Sequence, residues 1–154
     1  MWIKQLIDSL ERHKVKYAIV GGYAVALHGA VRGTVDIDLV LKISRANYRN
    51  AEKALLALGL TSRLPIGADD VINFREEYLL NRNMTAWNFT NPQNPIETVD
   101  IIISHDLSKM KINRIKAGKS ILSVVSVRDL IKMKRESGRP QDLEDIKALK
   151  RIYK

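Results

Sequence analysis

Apolar residues recur at helical spacing at the start of the chain. Trp2, Ile3, Leu6, Ile7 and Leu10 share one face of a helix predicted over residues 2–14. The period then changes. Residues 17–20, Tyr-Ala-Ile-Val, form an unbroken apolar run that stops at Gly21-Gly22, the pattern of a buried strand entering a tight turn. Residues 23–28 read as a short helix stopped by Gly29. Over residues 35–41 the alternation is that of a strand. Val35, Ile37, Leu39 and Leu41 fall on one face, and Asp36, Asp38 and Val40 on the other.

Ser44 is placed to cap a helix over 45–58, which Gly59 ends. Residues 60–68 read as a loop with Pro65 and Gly67, followed by a weaker helix over 69–80. Strands are expected at 84–89 and 97–104, joined by the turn-forming Asn-Pro-Gln-Asn-Pro and thus a hairpin. Residues 106–116 read as helix, 121–127 as strand, and 127–136 as helix broken by Ser137-Gly138-Arg139-Pro140. Pro140 opens a last helix, with Asp142 in its first turn. This order predicts an α/β (α+β) fold: a mixed, partly antiparallel sheet of about five strands flanked by helices. It is read as a single domain over 1–154, with a helical C-terminal segment from about 127.

Composition changes this picture in three ways. The formal net charge of +9 favours a polyanionic partner, nucleic acid or nucleotide phosphate, over a merely basic surface only when other features agree. The absence of cysteine excludes disulfides and thiolate metal sites, and fits a cytoplasmic location. No apolar run approaches membrane-spanning length, and the amphipathic N-terminus carries Asp8 and Glu11, so neither a membrane nor a secretory signal is expected.

The chemistry concentrates in the acids. Two residues apart on a strand, Asp36 and Asp38 project to one side with alpha carbons about 6.5–7 Å apart. Carboxylates held that close repel unless a cation lies between them. Magnesium suits such a place, because it takes hard oxygen ligands and shares its shell with water and phosphates. Asp100, between Val99 and Ile101, supplies a third carboxylate inside an apolar strand, where a charge needs a partner. Glu97 has the opposite parity and points away. In isolation each piece also fits a bland reading: aspartates on a solvent-facing strand, or a plain strand-to-helix turn at Gly21-Gly22.

Taken together the residues resemble the nucleotidyltransferase superfamily of the DNA polymerase β type. The signature reads Val20-Gly21-Gly22, thirteen residues, Asp36-Ile37-Asp38-Leu39, then Asp100. Ala24, His28-Gly29, Arg32 and Thr34 ahead of Asp36 resemble the bacterial minimal nucleotidyltransferases, including the toxin type of abortive-infection systems. The closing lysine and Arg-x-x-Asp-x-x-Asp helix start resemble their C-terminal segment. The resemblance implies transfer of a nucleoside monophosphate from an NTP, ATP among them, to a hydroxyl on RNA, a tRNA end, a protein or a small molecule. It implies that Asp36, Asp38 and Asp100 hold two Mg2+ ions, with Mn2+ as a substitute. Asp100 would also help to deprotonate the attacking hydroxyl. Gly21, Gly22, Arg32, Thr34 and Lys134 would bind the nucleotide, with Lys132 the rival of Lys134.

It further implies a possible partner protein, the cognate antitoxin or toxin. A non-catalytic nucleotide- or RNA-binding regulator of the same fold is the alternative, and a metal-dependent nuclease a weaker one. Gly22 stands where many active members have serine. His28 is read as packing or capping near its helix end, Asp142 and Asp145 as stabilising the last helix's N-terminus, and Arg139 as their ion-pair partner. The run Lys109, Lys111, Arg114, Lys116 and Lys119 is read as a solvated face rather than an RNA groove.

Overall fold

The computed structural model describes residues 2–30, 32–33 and 36–153. Thr34, one of the expected nucleotide-binding residues, lies outside them.

The helices are α1 (Trp2–Arg12), α2 (Gly21–Leu27), α3 (Arg45–Leu56), α4 (Ala68–Asn81), α5 (Val127–Ser137) and α6 (Pro140–Ile152). The strands are β1 (Tyr17–Val20), β2 (Ile37–Leu41), β3 (Thr61–Ser62), β4 (Ala86–Asn91), β5 (Asn94–Ile102), β6 (Ile112–Ala117) and β7 (Ser120–Val125). They form one sheet in the order β3-β4-β5-β2-β1-β7-β6. β2 is parallel to β5 and β1 to β7, and the remaining neighbours are antiparallel.

Strand alternation divides the sheet into two faces. Ile19, Ile37, Leu39, Val99, Ile101, Trp87 and Phe89 point to one side and are fully buried. There Tyr48 of α3 stacks on Trp87 with ring centroids 6.1 Å apart, and Phe89 meets Trp87 edge-on at 4.6 Å. α1 packs on α3, and its Leu6, Ile7 and Leu10 are buried in the core. The other face carries Val20, Asp38, Asp100 and Asn88 in one row across β1, β2, β5 and β4. The first face packs the aromatic core, and the opposite face carries the acids.

The sheet has seven strands where about five were expected, and the difference has local causes. Residues 106–116, read as helix, hold a 3-10 turn at Leu107–Lys109 and the edge strand β6. Ala117 pairs with Ser120, so Gly118-Lys119 makes a two-residue hairpin turn, and Gly118 adopts a φ of 61°. Asp106 caps the 3-10 turn by accepting from Ser108 N at 3.0 Å. Thr61–Ser62, read as loop, pairs with β4. The first hairpin turns tighter than its sequence suggests: Asn91 pairs with Asn94, so only Pro92-Gln93 lie outside the ladder. Pro95 stands one residue into β5. The Ser44 cap forms as expected, accepting from Asn47 N at 3.1 Å.

Candidate active site

β1 runs out at Val20, and the chain turns into α2 through Gly21, whose φ is 69°. A Cβ at this position would stand 2.0 Å from Asp38 Oδ2. Glycine is therefore required twice over, by backbone conformation and by the carboxylate pressed against it. Gly22 is buried, and a Cβ there would stand 3.1 Å from the Arg32 guanidinium.

Asp38 and Asp100 are direct partners on the parallel strands β2 and β5. Their side chains therefore share a face on strands about 4.8 Å apart. Burial, followed by the charges of Asp100 and Asp36, pushes the Asp38 carboxyl up to about 7, against the pull of Lys134. Asn88 donates to Asp100 Oδ1 at 2.5 Å and fixes one oxygen of that carboxylate. Asp36 lies just before β2 and accepts a hydrogen bond from Thr98 Oγ1 at 2.6 Å. Thr98 sits two residues before Asp100, on the same face of β5. The three acids thus border one stretch of β5, as the strand parity requires.

A ready cage is not what they form, however. Among the described residues no three His, Cys, Asp or Glu side chains stand as a metal-binding group. Asp38 and Asp100 face each other, whereas Thr98 engages Asp36. The donor chemistry still fits a divalent cation. Hard carboxylate oxygens crowd together, and Asp38 is pushed toward the protonated form by burial and then by its acidic neighbours.

These residues line a cleft of about 680 Å³ between the sheet and α5. Gly21, Gly22, Arg32, Asp36, Asp38, Asp100 and Lys134, every expected site residue that is described, border it. Leu130, Met133, Lys134 and Ser137 project toward it from α5 at the i, i+3, i+4, i+7 spacing of one helix face. At another part of its wall His105 Nε2 lies 3.0 Å from Glu136 Oε2, and its Nδ1 lies 3.0 Å from Ser104 Oγ.

Lys134 is not a free cation. It is buried, with Nζ 2.8 Å from Asp145 Oδ2 and 3.2 Å from Asp142 Oδ1. Arg32 Nε donates to Asp145 Oδ1 at 3.0 Å, and Arg139 Nε to Asp142 Oδ2 at 3.0 Å. Burial alone would raise both aspartates. Bonds from Arg139, Ser137 and Lys134 hold Asp142 far below the usual carboxylate range, and Lys134 and Gln141 lead in lowering Asp145. Asp142 does close the capping box of α6, accepting from Arg139 N at 3.2 Å. Asp145 is different from the expectation: it is a buried ion-pair partner rather than a helix-end charge. His28 packs as expected, its Nε2 2.8 Å from the Val125 carbonyl.

Thr98 was legible in principle, since Thr-x-Asp puts both on one strand face. Asn88 and the Arg32–Asp145 pair were not, because only the register and the tertiary packing bring them in.

No family model and no curated protein sequence matches the chain. Solved structures do match over nearly its whole length. The lincosamide antibiotic adenylyltransferase LnuA, lincomycin-bound, superposes with a TM-score of 0.65 at 16% identity, over 97% of this chain and 95% of that one. ANT(2")-Ia in complex with adenylyl-2"-tobramycin gives 0.59 at 13% identity, over 96% and 84%. An antigenic nucleotidyltransferase-like protein from Paracoccidioides brasiliensis gives 0.58 at 16% identity, over 96% and 73%. The chain has the nucleotidyltransferase fold.

Proposed function

We propose that the protein is a metal-dependent nucleotidyltransferase that moves a nucleoside monophosphate from an NTP to a hydroxyl acceptor. The observation that carries this reading is the Asp38–Asp100 pair, in direct register beneath Gly21 and facing a cleft whose other wall holds Arg32 and Lys134. Carboxylates on one side and cations on the other fit a metal-bound triphosphate between them.

Asp38 and Asp100 would hold the ion, joined by Asp36 on exchange of its Thr98 contact. Magnesium, or manganese in its place, would neutralise charge on the entering and leaving oxygens. Arg32 and Lys134 face the phosphates, and Gly21-Gly22 lets the backbone come close to them. The acceptor oxygen attacks the α-phosphorus, a new O–P bond forms, and the bond to the β-phosphate oxygen breaks with pyrophosphate leaving. Asp100, with one oxygen held by Asn88, would take the hydroxyl proton on the other.

The structural neighbours include adenylyl-transferring proteins that bind antibiotics, so ATP is the first donor to test and a small hydroxyl compound the first acceptor. The exposed basic run from Lys109 to Lys119 lies in and around β6, at the far edge of the sheet from β5. That run stays a solvated face, away from the cleft; the net charge of +9 alone makes RNA, as in a toxin–antitoxin pair, the second acceptor to test. The test is transfer of label from α-labelled NTPs with magnesium to lincomycin, tobramycin and tRNA. Transfer by the wild type, lost by at least 100-fold in Asp38→Asn, supports the reading. Label transfer that survives Asp38→Asn refutes the assigned centre.

A further inference from the structure

Resting on the triphosphate reading above, we infer that Asp145 is a positioning residue, which orients Arg32 and Lys134 toward the phosphates from behind the cleft. The two cations come from distant parts of the chain: Arg32 from the segment after α2, and Lys134 from α5. One carboxylate on α6 holds both, Oδ1 taking Arg32 Nε at 3.0 Å and Oδ2 standing 2.8 Å from Lys134 Nζ. Gln141 supports it by donating to Oδ1 at 3.0 Å.

Burial gives the arrangement its direction. The Asp145 side chain is 3% exposed and Lys134 7%, whereas Arg32 is 24% exposed. Arg32, Lys134 and Asp142 border the cleft, and Asp145 does not. The carboxylate therefore stands behind the cations. Gly22 completes the fit, because a side chain there would meet the guanidinium. Asp142 extends the same device, gripping Lys134 and Arg139.

A long cationic side chain loses rotamer freedom when it binds phosphate, and one already held in place loses less. The ion pairs thus prepare the site for the polyphosphate, and α6 becomes part of the nucleotide site although it carries no metal ligand. A purely structural role would make Asp145 matter for stability alone.

The experiment measures MgATP and adenosine binding calorimetrically for the wild type, Asp145→Asn and Asp145→Glu, with folding checked by circular dichroism. MgATP affinity is expected to fall about tenfold or more in Asp145→Asn, adenosine affinity to stay within about twofold, and Asp145→Glu to recover part of the loss. Should the asparagine variant not fold, the glutamate variant alone decides, by weakened MgATP and unchanged adenosine binding. MgATP binding equal to or tighter than wild type overturns the positioning role while leaving the transferase reading intact. So does an equal loss for both ligands. Absence of MgATP binding by the wild type, with other magnesium–NTPs also silent, overturns the transferase reading and this inference together.

Discussion

Asp38 meets three conflicting demands. Its strand half-buries it, Asp100 and Asp36 repel it, and Gly21 leaves it room. A carboxyl raised to about 7 when folded, against 3.8 unfolded, binds more protons in the native state throughout that window. Without metal, this group's contribution to stability is therefore greatest at or below about pH 4 and declines as pH rises to about 7. Asp38→Asn removes the ionisation. In EDTA its Tm should exceed that of the wild type at pH 8, and the gap should close on the way to pH 4. A gap of the same size at every pH would show that the crowding of charge at Asp38 is not what the substitution relieves. Both residues of the Asp-x-Asp pair, and their shared face, were legible from the period of the strand. The contact of Asp38 with the glycine turn needed the antiparallel pairing of β1 with β2, which no local pattern states.

At the scale of elements, the helices and inner strands followed their patterns closely. The apolar runs at β1, β2 and β5 are fully buried on one face, and Ser44, Gly59 and Pro140 stand where the chain enters or leaves helices. The misreading at 106–116 came from an edge strand. β6 is exposed along one side and lined with Asn113, Arg114 and Lys116, so it lacks the apolar alternation that marks a buried strand. Charged residues on an edge strand also discourage pairing with other chains, which is reason enough for the pattern. Trp87 shows what the inner elements contribute. It is fully buried between Tyr48 and Phe89, on the strand that carries Asn88 to Asp100. Trp87→Ala should cost about 3–5 kcal/mol, read by urea unfolding. A cost below about 1 kcal/mol would mean that the aromatic cluster is not what fixes this end of the sheet.

Over the whole molecule, charge is distributed unevenly. The protein carries +9 overall, yet five carboxylates border its main cleft beside three lysine and arginine side chains. A net-acidic cleft in a basic protein fits a site that takes a metal together with its anionic ligand. The long-range electrostatics meanwhile draw polyanions toward the surface. The sheet brings the acids together from β2 and β5, α5 lays Lys134 over them, and α6 holds that lysine from behind. Each wall alone has a structural explanation, and their apposition across one cleft is what points to chemistry.

The most direct measurement is thermal unfolding with each of the four ribonucleoside triphosphates, with and without magnesium, for the wild type and Asp36→Asn/Asp38→Asn. Ligand at a hundred times its dissociation constant should add about 2.7 kcal/mol of stability. The account predicts a magnesium-dependent rise in Tm with at least one triphosphate, absent from the double variant. A rise that is independent of magnesium, or that survives in the double variant, would contradict it.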